Sequence, residues 1–106
     1  MNSIFELLKQ LVSVGKVRIS VHGYDELVAD NLSVRNVISG MESAELLEEY
    51  PEFAKGPCVL VLQKDQEDRL VHVVWGIAKG TKGPAVLVTA YRPDSRKWTE
   101  DFRRRK

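Results

Sequence analysis

The chain of 106 residues has one cysteine and two histidines, so it contains few of the thiolate and imidazole ligands that bind transition metals. Its single cysteine, Cys58, excludes an intramolecular disulfide and a cysteine-cluster zinc site, and it opens an apolar run that is typical of a buried position. The two histidines, His22 and His72, lie far apart in the chain and have no third ligand at metal spacing. We therefore expect neither a metal site nor a cofactor.

Long apolar runs are also missing. No stretch approaches the roughly 20 apolar residues of a transmembrane helix. The N-terminal sequence MNSIFELLKQLV lacks the basic start and the long apolar stretch of a signal peptide. These features predict a cytoplasmic protein with no membrane partner.

The formal net charge is only +1, which gives no global attraction to nucleic acid. The charges are nevertheless separated along the chain. Residues 42–52 carry five glutamates and no basic residue, whereas residues 92–106 carry seven basic side chains. Each of these two charged segments is either a binding surface or solvated surface with no partner. Because the net charge is so small, only such local patches can support an argument for binding nucleic acid.

The first half of the chain has helical patterns. Ser3 and Glu6 form a capping box ahead of apolar residues at helical spacing, and Gly15 follows as a stop signal. The predicted segments are a helix at Ser3–Val14, a short strand or extended connector at Lys16–Val21, a helix at His22–Asp30, and a short helix after Ser33.

The second half favours strands. Ala44–Tyr50 has a helical composition, but Pro51 forces Tyr50 toward extended geometry, so we predict a strand there. The other predicted elements are a central strand at Cys58–Gln63, a hairpin over Leu70–Asp94 with its connection at Lys79–Pro84, and a short helix at Thr99–Arg105. The sequence therefore predicts one α+β domain over residues 1–106, with two to three N-terminal helices packed on one face of a four-stranded antiparallel sheet and a short C-terminal helix.

The hairpin fixes which side chains share a face. Side chains on a strand alternate, so the bulkier set should face the core; it comprises Val71, Val73, Trp75 and Ile77. His72 belongs to the opposite face. Pairing of Ala78 with Ala85 sets His72 opposite Tyr91, whereas a slip of one residue sets it opposite Arg92. In either register the candidate site lies near this end of the sheet.

His72, Tyr91 and Arg92 suit metal-independent cleavage of RNA, which needs a base, an acid and a cation. His72 can be the acid or the base, Tyr91 a proton donor or a stacking ring, and Arg92 a clamp on the phosphate. The predicted substrate contacts are His22, Arg96, Lys97 and Arg103. In the structural alternative His72 hydrogen-bonds within the sheet, Tyr91 packs, and His22 pairs with Glu26 on its own helix; residue types alone favour that alternative.

Four stretches are informative in combination: SVHGYDEL, EEYPEFAKGPCVLVLQKD, LVHVVWGI and VTAYRPDSRKWTEDFRRRK. Together they span residues 20–106 and resemble the bacterial proteins catalogued as domain of unknown function 4258. That family is similar in layout to the RelE/ParE-like toxin superfamily, which has paired N-terminal helices and a four-stranded antiparallel sheet.

The resemblance implies a ribonuclease or toxin that acts on RNA beside an antitoxin-like protein. Family members commonly carry arginines on the helix after the first histidine, where this chain has Glu26 and Asp30, so two phosphate contacts are missing. The alternative is a non-enzymatic protein-interaction module of the same fold, which binds an antitoxin-like or acidic partner through the sheet face or the basic tail. A homodimer formed through an exposed sheet edge is a third arrangement.

Overall fold

Within residues 3–106, which the computed structural model describes, five strands form one mixed sheet and three α-helices cover one of its faces. The helices are α1 (Ile4–Ser13), α2 (Val21–Ala29) and α3 (Val34–Gly40), followed by a 3₁₀ turn at Met41–Ser43. The strands are β1 (Val17–Ile19), β2 (Glu45–Tyr50), β3 (Cys58–Lys64), β4 (Leu70–Gly76) and β5 (Ala85–Tyr91), in the spatial order β1-β5-β4-β3-β2. No helix in this part of the chain is long and apolar enough to cross a membrane.

The predicted four-stranded antiparallel sheet is wrong, because a fifth strand joins it in parallel. β1 lies against β5, with Val17 opposite Ala85 and Ile19 opposite Leu87. The segment predicted as a strand or extended connector therefore becomes a short edge strand. Its three residues are too few to reveal a partner from local pattern, since that partner lies near the other end of the chain.

The predicted C-terminal helix at Thr99–Arg105 is also wrong. Residues 94–106 form turns that are closed by an antiparallel bridge between Trp98 and Arg105. Phe102 has a φ of 58°, which a right-handed helix does not accommodate. The Thr99 amide donates to the Arg104 carbonyl, so the segment folds back on itself instead of continuing as a helix.

A serine is the N-cap residue of each of the three α-helices in the described part of the chain. The Ser3 hydroxyl accepts from the Glu6 amide at 3.1 Å, and Ser33 begins α3 in the same way. Both helix starts agree with the sequence prediction. Ser20 caps α2 by accepting from the Gly23 amide at 2.8 Å, so this helix begins one residue before the predicted His22.

A β-bulge at Val88 sets the register between β4 and β5. The pairs on either side of it are His72 with Tyr91, Val74 with Thr89, Trp75 with Leu87 and Gly76 with Val86. The pairing of His72 is that of the first predicted register, whereas the bulge displaces the pairs nearer the loop. Ser20 ties this point to α2, because its amide donates to the Leu87 carbonyl and its hydroxyl to the Val88 carbonyl.

The helix-facing side of β4 is buried as predicted, over Val71, Val73, Trp75 and the following Ile77. A buried glutamine adds a polar link within this core. Trp75 Nε1 donates to Gln63 Oε1 at 2.9 Å, and Gln63 Nε2 donates to the Val37 carbonyl at 2.8 Å. Since buried polar groups are stable only when hydrogen-bonded, this chain of contacts fixes α3 on the sheet.

Gly23 allows α2 to lie directly on β5. A Cβ atom at this position would be 2.7 Å from the Leu87 carbonyl oxygen.

Alanine is favoured over glycine by about 1 kcal/mol within a helix, yet we expect Gly23→Ala to lower the free energy of unfolding by about 1–3 kcal/mol through overpacking. Urea denaturation measures the change. Val28→Ala, on the exposed side of the same helix, should change it by less than about 0.5 kcal/mol, and a Gly23→Ala protein as stable as wild type would contradict this packing.

Candidate functional site

The face of the sheet opposite the helices is divided into two halves. Directly paired residues of neighbouring strands share a face, so three cross-strand rows can be followed over this surface. They are Glu45-Leu62-His72-Tyr91, then Glu48-Leu60-Val74-Thr89, then Tyr50-Cys58-Gly76-Val86. The first row lies under the C-terminal segment, and the third opens into a groove.

The C-terminal segment, residues 94–106, is here called the C-terminal strap. Its anchor is Trp98, which is only 3% exposed and meets the His72 ring edge to face at a centroid distance of 4.3 Å. The Arg105 guanidinium lies over the Trp98 ring, 4.7 Å from its centroid. Trp98 of the strap thus contacts both a histidine and a cation.

Two arginines of the strap pair with glutamates of β2. Arg103 donates two hydrogen bonds to Glu45, both of 2.8 Å, and Arg105 donates two to Glu48, of 3.0 and 3.1 Å. These hydrogen bonds hold the pKa of both carboxyl groups below the usual range. The acidic and basic segments of the sequence therefore neutralise each other in part within one molecule.

His72 is completely buried beneath the strap. Its Nε2 lies 2.8 Å from the Phe102 carbonyl oxygen, an arrangement in which Nε2–H donates, and its ring meets Tyr91 at a centroid distance of 5.5 Å. Nδ1 is buried and has no hydrogen-bond partner in the described part of the chain. Burial lowers the pKa of His72 and the charge of Arg105 acts in the same direction, although the Phe102 hydrogen bond and Glu48 oppose them.

Arg92 is turned away from His72. Its amide donates to Asp30 Oδ2 at 2.9 Å, and its Nη2 donates to Asp65 Oδ2 at 3.0 Å, beside a polar pocket of about 160 Å³. Burial would raise the pKa of Asp65, but hydrogen bonds from the Arg69 amide and the Arg92 guanidinium outweigh it, so this pKa is lowered. The geometry thus brings two of the three predicted catalytic residues, His72 and Tyr91, together and separates Arg92 from them.

The predicted substrate-binding residues are also dispersed. Arg96 pairs with Asp94 in its own turn at 3.1 Å, Arg103 is bound to Glu45, and Lys97 is exposed on the strap. His22 is exposed at the start of α2, and its Nε2 lies 3.8 Å from Glu26 Oε1. No single surface therefore collects these cations, and among residues 3–106 no three His, Cys, Asp or Glu side chains come together to hold a metal ion.

An open groove of about 600 Å³ occupies the other half of the face. Its walls come from β3, β4, β5, the loop after β2 and the start of α2. The lining residues are Ser20, His22, Tyr50, Phe53, Lys55, Gly56, Cys58, Val74, Gly76, Ile77, Ala78, Val86, Val88 and Thr89. Most of these side chains are apolar or aromatic, and Phe53 is 52% exposed at the rim. Lys55 is the basic side chain of this lining, which also includes His22 and contains no carboxylate.

Of the predicted site residues, His22 alone lines this groove; the sequence analysis did not identify Phe53 or Lys55. The sequence contains only an indirect signal for these two residues. Phe53 and Lys55 lie in the polar loop between two predicted strands, and an exposed phenylalanine in such a loop cannot be told from a buried one by sequence pattern. Tyr50 joins the two halves of the face, since its hydroxyl donates to Glu48, the carboxylate that Arg105 also binds.

Residues 19–92 match the model of a protein family described as "Domain of unknown function (DUF4258)". The chain belongs to the DUF4258 family. No curated protein and no solved structure matches the chain. The DUF4258 description names no activity, and the RelE/ParE-like layout stays a prediction.

The DUF4258 match contains every residue that lines the groove, together with His72, Tyr91 and Arg92. Helix α1 and the C-terminal strap lie outside it. Asp30 and Glu26 make contacts of their own here: Asp30 accepts from the Arg92 amide and Glu26 lies beside His22.

The burial of His72 predicts a pH-dependent stability. Protonation would create a buried Nδ1–H with no acceptor, and the folded protein therefore has a His72 pKa below the ordinary 6.5 of the unfolded chain. Between these two pKa values the unfolded chain binds the additional proton, so the free energy of unfolding should fall as the pH drops below about 6.5. Above that pH the contribution is fully present.

Urea denaturation at pH 8, 7, 6 and 5 measures this dependence. His72→Gln should flatten it between pH 7 and 5, because glutamine does not titrate. His22→Gln, at an exposed histidine, should keep the wild-type profile. A His72→Gln profile parallel to that of wild type would contradict the role of His72 as a buried neutral side chain.

Proposed function

We propose that this DUF4258 protein is a non-enzymatic protein-interaction module whose groove binds an apolar, acidic-flanked segment of an antitoxin-like partner. The observation that supports the proposal is the composition of the groove: apolar walls, the basic side chain of Lys55, and no lining carboxylate. Apolar side chains of a partner would enter the groove and its carboxylates would meet the rim.

The apolar walls supply the affinity. Burying one large apolar side chain in such a groove is worth about 1.5–3 kcal/mol relative to exposing it to water. Phe53 and Tyr50 stand at the rim, partly exposed, and aromatic residues in this position commonly become the residues that dominate binding once a partner covers them. Two or three apolar side chains of a partner segment would therefore give appreciable affinity.

The rim charge supplies selectivity. Lys55 lies in the loop after β2, and its carbonyl accepts a hydrogen bond from the Lys79 amide at 3.0 Å. This hydrogen bond holds the backbones of Lys55 and Lys79 together beside the groove. Charge complementarity favours an acidic partner segment and disfavours a basic one. It also disfavours a second copy of the chain that docks through its own basic strap.

Selection from a displayed library of random 15-residue peptides tests the proposal. Peptides that bind the wild-type chain are retained, and peptides that also bind the Phe53→Ala chain are removed. We expect the enriched peptides to combine two or more large apolar residues with flanking Asp or Glu. Isothermal titration should show that Phe53→Ala raises the dissociation constant roughly tenfold. Lys55→Glu should raise it roughly three- to tenfold and weaken its dependence on salt.

Lys82→Glu is the matched control, because it makes the same charge change on the loop between β4 and β5, outside the groove lining. It should leave the dissociation constant unchanged. The proposal fails if the enriched peptides are basic, or if they bind wild type, Phe53→Ala and Lys55→Glu with equal affinity.

A metal-independent ribonuclease is the second candidate function. Its support is the neighbourhood of His72 and Tyr91, where an imidazole with one unpaired ring nitrogen lies against a phenol. This site would require the C-terminal strap to leave, since Trp98 and Phe102 cover the imidazole. The phosphate would also need a cation other than Arg92, which points toward Asp65.

Incubation of a mixed-sequence RNA with the purified chain in the presence of EDTA separates the two functions. We expect the RNA to stay intact, since the arginines nearest to His72 are paired with carboxylates. Cleavage by wild type that His72→Ala abolishes, with folding verified by circular dichroism, would replace the interaction module with the ribonuclease. Val28→Ala is the control substitution for that comparison.

A further inference from the structure

The C-terminal strap resembles a peptide bound to the sheet. Its backbone–backbone hydrogen bonds, within the described chain, all run between residues of the strap itself, from Lys97 to Asp94, Thr99 to Arg104 and Lys106 to Lys97 among others. Side chains therefore provide its polar attachment to the sheet: His72 to the Phe102 carbonyl and two arginines to β2. The strap holds its shape by local bonds and contacts the sheet as a ligand would.

The surface beneath the strap is a specific one. Its first cross-strand row consists of the carboxylate of Glu45, the apolar side chain of Leu62, the buried imidazole of His72 and the phenol of Tyr91. Glu48 adds a second carboxylate in the next row. Three side chains of the strap contact this surface: Trp98 packs against His72, Arg103 pairs with Glu45, and Arg105 pairs with Glu48.

We propose that this surface is a recognition site for a segment of a partner protein that carries one aromatic residue and two arginines, and that the strap is a built-in occupant which such a segment displaces. The proposal is independent of the groove, whose expected ligand is acidic rather than basic.

The attachment of the strap suits displacement. Both ion pairs are partly exposed to solvent, with Arg103 and Glu45 at 43% and 53% and Arg105 and Glu48 at 59% and 28%, and exposed pairs contribute little and weaken with salt. Burial of Trp98 adds to this attachment. Pro93 precedes the strap, so the segment leaves the sheet at a defined point just after Arg92, which is itself held by Asp30 and Asp65.

A synthetic peptide with the sequence of residues 94–106 is the probe, and full-length chains are the receptors. The double variant Arg103→Glu with Arg105→Glu is here called the strap-reversed receptor. Its strap carries negative charge opposite Glu45 and Glu48, and this repulsion opens the surface. We expect this receptor to bind the peptide at least about tenfold more tightly than wild type does, because the wild-type strap competes for the same surface. Fluorescence anisotropy of a labelled peptide measures the affinity.

A charge swap makes the test specific. The receptor Glu45→Arg with Glu48→Arg should reject the wild-type peptide and bind a peptide that carries both arginine-to-glutamate changes, whereas the strap-reversed receptor should show the opposite preference. Arg104→Glu with Lys106→Glu is the matched control: it makes the same change in net charge at two residues outside both ion pairs, so its strap should stay seated and its affinity for the peptide should equal that of wild type.

Circular dichroism and urea denaturation establish that each receptor is folded before binding is measured. The inference is overturned if the folded strap-reversed chain does not bind the peptide at millimolar concentration, or if the peptide binds every receptor equally. Lys55→Glu in the strap-reversed receptor should leave peptide affinity unchanged, so failure of this site and failure of the groove are separate results.

Discussion

The contact of Ser20 with the bulge of β5 is the constraint from which the rest of the arrangement follows. The Ser20 amide and hydroxyl donate to the carbonyls of Leu87 and Val88, and its hydroxyl accepts from the Gly23 amide. This one residue therefore ends β1, begins α2 and holds the bulge. Because the bulge adds a residue to β5, it decides which side chains of that strand face His72 and which line the groove.

Two kinds of chemistry share the outer face of the sheet. One half is apolar and open, with Lys55 at its rim; the other is covered by the C-terminal strap, whose arginines meet carboxylates of β2. The boundary follows the row that contains Glu48, which binds both Tyr50 of the groove and Arg105 of the strap. A ligand in the groove and an occupant under the strap would thus lie side by side on one surface.

Pairing within the chain changes what the basic C-terminal segment can do. A run of arginines beside a histidine suggests contact with RNA, yet Arg103 and Arg105 are bound to glutamates and His72 is buried and favoured in its neutral form. Phosphate binding would have to compete with these carboxylates, and acid catalysis would have to begin with release of the strap. The groove needs no such rearrangement, and for this reason we propose the interaction module and not the ribonuclease.

Local signals in the sequence determined the helix starts at Ser3 and Ser33 and the buried face of β4, because a cap or an alternation of side chains acts within a few residues. They also determined that His72 lies near the end of the sheet, opposite either Tyr91 or Arg92. The observed register of β4 and β5 pairs His72 with Tyr91. The partner of β1, the irregular strap, the groove and the burial of His72 were decided only by the tertiary structure. Each of these depends on contacts between residues far apart in the chain, such as Trp98 on His72 or Arg103 on Glu45, and no local periodicity encodes such contacts.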